Sequence, residues 1–198
     1  MAVDQDNAPP PNTDIPEPPT GGAAAPARNW TLRWSAREME SNSPSSGAAP
    51  SVTPDTLRPS MAFDKDTDES TILTGKRIPV EHTGTGTIKL TLTYAASTTT
   101  AADDVRWDVV GECLAANNNE STNADSFGAT ADSATGTFGT TAWADREVTI
   151  TLTNFKADEA PVAGDLFRLK VTRDANHATD DSLAEDCHLL AAEMWEEP

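Results

Sequence analysis

Short segments in which apolar and polar residues alternate are the feature that most constrains how this chain folds. In residues 163–175, AGDLFRLKVTRDA, the apolar Phe167, Leu169 and Val171 alternate with basic or hydroxyl side chains. Successive side chains of a strand point to opposite faces, so this segment predicts a strand with one buried face. No segment shows the spacing of an amphipathic helix of three turns.

Turn residues separate similar segments along the rest of the chain, and the outward positions are rich in threonine. Seven to nine strands of this kind predict an all-β fold, an antiparallel β-sandwich of jelly-roll type. The segments that we predict as strands are 29–35, about 70–80 (one strand or a broken pair), 87–96, 105–116, 146–155, 165–173 and 187–195.

Proline content divides the chain near residue 60, because the first sixty residues hold eleven of the fourteen prolines. Residues 1–28 contain seven prolines and no aromatic side chain, so they predict an extended arm that has no core of its own. Residues 29–60 predict a docked strand, NWTLRWS, followed by an irregular Pro/Ser-rich connection. Residues 61–198 predict the sandwich domain.

The charge of the chain excludes some partners. The sequence contains thirty-two acidic and fourteen basic residues, which gives a net charge of -18. A surface this acidic repels phosphate backbones and anionic headgroups, so we predict no nucleic-acid partner and no membrane partner. The chain has no apolar run of eighteen residues, and its first residues lack the features of a signal peptide, so synthesis in the cytoplasm is expected.

No residue pattern indicates catalysis. His82, His177 and His188 are the only histidines, and the sequence contains no GxSxG, HExxH, phosphate-loop or dinucleotide-binding motif. We therefore predict a protein that is not an enzyme and has no cofactor. Cys113 and Cys187 lie in apolar, strand-like segments, where two buried thiols are the favoured interpretation and a single disulfide is the alternative.

Two acidic segments contain oxygen ligands that a cation could use. DKDTDES, residues 64–70, lacks the glycine and glutamate that an EF-hand loop requires. RDANHATDD, residues 173–181, places Asp174, Asp180 and Asp181 around His177. Acidic residues are also common in the turns that flank strands, so we predict no metal site.

Three aromatic residues lie in or beside the long polar loop region and are candidates for a sugar platform: Trp143, Phe127 and Phe138. An exposed ring can cover the apolar face of a pyranose. The competing interpretation is that these rings close the open end of the sandwich core.

The final segment, CHLLAAEMW, is apolar on both faces of a regular strand. A two-layer sandwich needs only one apolar face, so the second is expected to be covered by the N-terminal strand or by another subunit. Self-association follows as an expectation; a trimer is favoured by analogy with other jelly-roll proteins, and two-fold and monomeric forms stay open. The residues that we predict as partner contacts are Trp30, Trp34, Leu190, Met194 and Trp195; packing of the two N-terminal tryptophans on the chain's own core is the alternative.

The outward face of residues 165–173 carries Arg168 and Lys170. Opposite-charge pairs with Glu147, Asp108 or Glu112 on neighbouring strands would stabilise the sheet by roughly 0.2 to 1 kcal/mol each. Docking onto an acidic partner is the alternative role for these two basic residues.

Six stretches of the sequence resemble a family of small β-rich proteins of tailed bacteriophages and prophages, described as virion structural proteins. The similarity covers about residues 30–198, omits the Pro-rich arm, and carries no catalytic residue that could be transferred. The stretches are NWTLRWSAREMESNSPSS, FDKDTDESTILTG, VRWDVVGECL, NADSFGA, AGDLFRLKVTRDA and AEDCHLLAAEMW.

The resemblance implies a virion component, and the acidity favours the outer face of the shell because the inner face meets packaged DNA. The first expectation is a capsid decoration protein that binds the major capsid protein or another virion protein. The second is a receptor- or glycan-binding module of a phage fibre or spike, and a free carbohydrate-binding module is a third.

Overall fold

The computed structural model describes residues 27–41, 51–53, 59–97, 103–114, 127, 130–155 and 160–198. These parts of the chain contain eleven strands and one short 3-10 turn, Ala36–Glu38. The strands are β1 (Thr31–Ser35), β2 (Met39–Ser41), β3 (Ser51–Thr53), β4 (Ser60–Phe63), β5 (Glu69–Arg77), β6 (Thr87–Ala96), β7 (Asp104–Leu114), β8 (Asp132–Thr137), β9 (Arg146–Thr151), β10 (Leu166–Arg173) and β11 (Cys187–Glu197).

Two antiparallel sheets pack face to face, as the sequence predicts. Sheet A has the order β3-β4-β11-β6-β9, with β1 also paired to β11, and sheet B has the order β2-β5-β10-β7-β8. From β4 onwards the chain alternates between the sheets, except that β7 and β8 form a hairpin within sheet B. The prediction of an all-β antiparallel sandwich is therefore confirmed.

The core lies between the sheets and is built from the inward positions of the alternating segments. Leu90, Leu92 and Tyr94 of β6 face Trp107 of β7, and the Tyr94 and Trp107 ring centroids lie 6.0 Å apart. The Tyr94 ring reaches across to β8, where a Cβ on Gly136 would overlap its hydroxyl oxygen. β8 therefore needs glycine at this position.

A β-bulge in β11 changes which residues face the core. Cys187 and Leu189 are inward before the bulge between Leu189 and Ala191, and Ala192 and Met194 are inward after it. The expectation that β11 has two apolar faces is wrong, because the extra residue at the bulge moves the apolar set from odd to even positions. One continuous inward face results, and β11 gives no reason to expect a subunit over its outer face.

The N-terminal strand lies beside β11 and does not cover its face. β1 pairs with Ala191–Trp195, and β4 occupies the same edge of β11 further towards its beginning, at Cys187–Leu189. The Pro/Ser-rich connection predicted within residues 29–60 includes the short strands β2 and β3, which join sheets B and A. The predicted arm lies outside the described residues except for its last two positions.

Candidate functional site

The two N-terminal tryptophans pack into the chain's own core. Trp30 and Trp34 are 7% and 1% exposed. The Trp34 indole nitrogen donates a hydrogen bond of 2.9 Å to the Thr74 carbonyl oxygen of β5, so β1 of sheet A is tied to sheet B. Burial of two large rings fixes the start of β1 against the core.

Trp195 is also covered by side chains of this chain. The Arg28 guanidinium lies 4.5 Å above the Trp195 ring centroid, and the Lys89 ammonium lies 5.2 Å from it. Glu193 accepts ion-pair contacts from both Arg28 and Arg33. Cation–π and ion-pair contacts together hold residue 28 against the outer face of sheet A.

The five predicted partner contacts are therefore placed as follows. Trp30, Trp34, Met194 and Trp195 are buried within the chain, and Leu190 is half-buried at the bulge of β11. The chain's own core accounts for the burial of these four side chains, so no partner is needed to explain it. For Trp30 and Trp34 this is the alternative that the sequence left open. A partner contact at Leu190 stays a prediction.

A shallow cavity of about 260 Å³ lies on the outer face of sheet A, beside the bulge. Charges of both signs surround it, because Arg28 and Arg33 stand opposite Glu193 and Glu147. Threonine hydroxyls of β6 form part of its floor. Such a lining suits a small polar ligand or water, but no single chemistry dominates it.

A buried acid–base pair joins the last strand to the loop before β6. The Glu196 carboxylate, which is fully buried, lies 2.9 Å from His82 Nδ1 and accepts a hydrogen bond of 3.1 Å from the Asn29 amide. His82 Nε2 lies 3.1 Å from the Pro161 carbonyl oxygen. Both imidazole nitrogens face acceptor oxygens, and the Glu196 carboxylate also fastens Asn29 to the end of the sandwich.

The basic residue at the centre of the β10 pattern forms a buried ion pair. Arg168 donates a hydrogen bond of 2.9 Å to Glu112 on β7, directly opposite in the register, and both side chains are buried. The Phe127 ring lies 5.0 Å from the guanidinium carbon. Intramolecular pairing is confirmed for Arg168 with one of its three predicted partners, but its surroundings are buried, whereas the sequence suggested an open surface.

Two aspartates of the second acidic segment, residues 173–181, are held by arginines. Asp181 accepts two hydrogen bonds from Arg173, at 3.0 and 2.9 Å, and Asp180 accepts one of 2.8 Å from Arg106. The fully buried Arg173 also donates to four backbone carbonyl groups, those of Phe63, Asp64, Leu183 and Glu185. Arg173 thus links the β10–β11 loop to the end of β4 and the residue that follows it.

Aspartates of the first acidic segment, residues 64–70, also accept hydrogen bonds from groups of this chain. Asp68 accepts hydrogen bonds from the backbone and side-chain amides of Asn176, and Asp64 accepts one from the backbone of Asp66. Within the described ranges, no group of three or more acidic, histidine or cysteine side chains is arranged to hold a metal ion.

The three aromatic candidates have different surroundings. Phe138 is 4% exposed and packs on Tyr94, so it closes the core as the competing interpretation predicted. Phe127 covers Arg168. Trp143 is 51% exposed and rests against His188, with ring centroids 4.9 Å apart. Trp143 is therefore the one of the three that remains open as a platform.

Both cysteines are present as buried thiols, as favoured from the sequence. Burial raises the pKa of Cys187 to about 12. The two residues belong to different sheets and lie in the inward set of β7 and β11. Their thiols fill core volume and are shielded from reagents in solution.

No protein-family model matches this chain, and no curated protein matches it either. Of the residues that the structure describes, none belong to a helix long and apolar enough to cross a membrane. The class that the fold defines is an antiparallel β-sandwich protein.

Sequence reasoning missed the His82–Glu196 pair and the network around Arg173. Glu196 follows the apolar segment of β11, and its inward direction depends on the bulge, which the sequence does not reveal. If the bulge had been known, Met194 would have been placed inward, and Glu196, two positions later, would have been recognised as a buried acid on the same face.

Proposed function

We propose that this chain is a non-enzymatic capsid decoration protein on the outer surface of a tailed phage head. The observation that carries the proposal is the strand order. One sheet contains the strands β4-β11-β6-β9, and the other contains β5-β10-β7-β8. From β4 onwards, every connection crosses from one sheet to the other except the one between β7 and β8. This order supports a jelly roll, an architecture that occurs in viral capsid and lectin domains.

Since a fold alone does not assign a function, charge supports the location. A net charge of -18 is repelled by the packaged DNA inside a phage head. On the outer surface the chain is not repelled by packaged DNA, and its acidic groups keep the particles soluble. The major capsid protein, or another virion protein, is the partner.

The start of the sandwich supports a role for the N-terminal residues in attachment. The backbone of Asn29 donates a hydrogen bond of 2.9 Å to the Glu196 carbonyl oxygen, and Arg28 contacts Glu193. The first residues of the chain therefore leave from a fixed point at one end of sheet A. Their proline content lowers the ordering cost of lying along a groove of the shell.

Counting and locating the chain in purified virions tests the proposal. Quantitative mass spectrometry measures copies per particle, and an amine-reactive probe applied to intact virions reports which copies are outside. We expect tens to hundreds of copies, labelled before the particle is opened. Absence from the particle, or labelling only after it is opened, would refute the proposal.

A receptor- or glycan-binding module of a fibre or spike is the second candidate, and one observation favours it, the exposed Trp143 ring. Copy number separates the two candidates, because fibre modules occur in a few copies per particle. A few copies located on the tail would replace the decoration role with this one.

A further inference from the structure

We propose that Trp143 is the platform of a carbohydrate-binding site, on which the apolar face of a pyranose ring stacks. Trp143 lies in the loop between β8 and β9 and is 51% exposed. The other four tryptophans of the chain are buried: Trp30, Trp34, Trp107 and Trp195. A single indole left open in a chain that buries its other indoles calls for an explanation.

The backbone at Trp143 adds a second unusual feature. Its φ angle is +57°, and it is the one non-glycine residue with a positive φ in the described part of the chain. A bulky aromatic residue rarely adopts this left-handed conformation, because its Cβ crowds the backbone. Its backbone amide donates a hydrogen bond of 2.8 Å to the Ala96 carbonyl oxygen, which holds the loop on the end of β6. Strain that the surroundings maintain in this way is typical of binding sites.

The indole is supported from below in a defined position. The His188 ring lies 4.9 Å away at an interplanar angle of 58°, and its Nδ1 is 3.0 Å from the Ser60 hydroxyl oxygen. Burial lowers the pKa of His188, so the imidazole is neutral at neutral pH and packs as an apolar ring. Trp143 is half exposed beside this support, which leaves side-chain surface on which a sugar can stack.

The surroundings of Trp143 suit a sugar better than a protein partner. Thr140 and Thr141 are exposed in the same loop and offer hydroxyl groups to sugar hydroxyls. The other large apolar side chains that the described residues expose, Val80 and Val162, lie in loops beyond the opposite ends of the strands. A protein contact usually gathers several apolar side chains around its central aromatic residue, whereas one ring with a polar rim fits a pyranose.

The position of the platform agrees with the proposed decoration role. His188 stands near the beginning of β11, whereas β1 and Trp195 mark the end from which the N-terminal residues leave. Seven residues of an extended strand separate His188 from Trp195, a distance of about 20 Å. A chain attached to the shell through its N-terminal residues would present Trp143 outward. This orientation rests on the proposed function, but sugar binding by the isolated chain does not.

Saturation-transfer NMR and a glycan array with the purified full-length chain test the proposal. The NMR probes are the methyl pyranosides of glucose, galactose, mannose and N-acetylglucosamine. We expect binding to at least one probe or array glycan with an accessible apolar ring face. Trp143→Gly should weaken this binding at least tenfold while the melting temperature is unchanged or higher, because glycine adopts the positive φ without strain. Trp143→Phe should retain part of the binding, and Val162→Ala, which trims an exposed apolar side chain elsewhere, should retain all of it.

Three outcomes would overturn the proposal. The first is a lack of response to every probe and every array glycan. The second is unchanged affinity in Trp143→Gly. The third is weaker attachment of Trp143→Gly to phage particles without any sugar response, which would make Trp143 a protein contact. Sugar binding by a chain that is absent from virions would support the site and refute the decoration role, so the two failures are distinguishable.

Discussion

Arg168 and Lys170 stand two residues apart on the outer face of β10, but their surroundings differ. Arg168 is 6% exposed and pairs with the buried Glu112, whereas Lys170 is half-buried opposite Val110 of β7. An exposed cross-strand pair contributes roughly 0.2 to 1 kcal/mol, but removing one member of a buried pair leaves a desolvated charge behind. The modest stabilisation expected from the sequence is therefore too small for Arg168.

The Arg168→Ser variant tests this difference. We predict that it lowers the free energy of unfolding by about 3 kcal/mol, because the Glu112 carboxylate stays buried after its arginine is lost. Lys170→Ser is the matched control and should change the same quantity by less than about 0.5 kcal/mol. Urea denaturation followed by tryptophan fluorescence measures both. Equal effects of the two substitutions would contradict the assignment.

The thiols provide a second prediction for single residues. Burial raises the pKa of Cys187 to about 12, so its thiol stays protonated at pH 8, and Cys113 is equally enclosed. Reaction with a chromogenic disulfide reagent at pH 8 should detect no thiol in the native protein and both thiols in urea. Detection of no thiol in urea would show that a disulfide is present. Rapid reaction of the native protein would contradict the burial.

At the scale of elements, strands that alternate strictly were predictable, and short or small-residue strands were not. The bounds of β6 match the prediction, and β10 begins within one residue of it. β8 was missed because its inward residues include the small Ala134 and Gly136, and Gly136 leaves space for the Tyr94 ring. β2, β3 and β4 have three or four residues each, too few to display a period of two.

The candidate platform was predictable only as one of three rings. Phe138 and Trp143 both lie in loops, and composition does not distinguish a ring that closes the core from one that stays exposed. The contact of Trp143 with His188 joins distant parts of the chain, and the positive φ of Trp143 depends on its hydrogen bond to Ala96. Both features arise from tertiary structure.

The bulge in β11 allows a prediction about a whole element. Leu189 and Ala191 pair with the consecutive residues Tyr94 and Thr93 of β6, so Leu190 is the extra residue. Deletion of Leu190 should leave every inward contact of β11 in place and yield a folded sandwich with reduced but measurable stability. Circular dichroism and thermal melting measure the result.

Deletion of Glu193 is the matched control for this experiment. Loss of a residue from the regular part of β11 would turn Met194 and Glu196 outward, so this variant should not fold. Unfolding of both variants to the same extent would contradict the change from odd to even inward positions that we assign to the bulge.

The whole molecule has two chemically different ends. One end holds the buried His82–Glu196 pair and the start of β1, and the other holds the Arg173 network and the Trp143 loop. Because the bulge gives β11 one apolar face, the described structure provides no argument for a trimer. Self-association stays a prediction that light scattering of the purified chain would test.

Removal of residues 1–26 tests the role of the N-terminal residues. The cut precedes residue 28 because Arg28 contacts Glu193 and Trp195. We predict that the truncated chain melts within a few degrees of the full chain but binds particles lacking the protein at least tenfold more weakly. Co-sedimentation with such particles measures binding. Equal binding by the two chains would make the N-terminal residues a spacer.

The position of the chain on the virion is the central claim, and an electron cryomicroscopy reconstruction of the particle tests it most directly. We expect sandwich-shaped density on the outside of the capsid shell, with the start of β1 towards the shell and the Trp143 loop away from it. Density for the chain only on the tail or its fibres, or on the inner face of the shell, would contradict the decoration role.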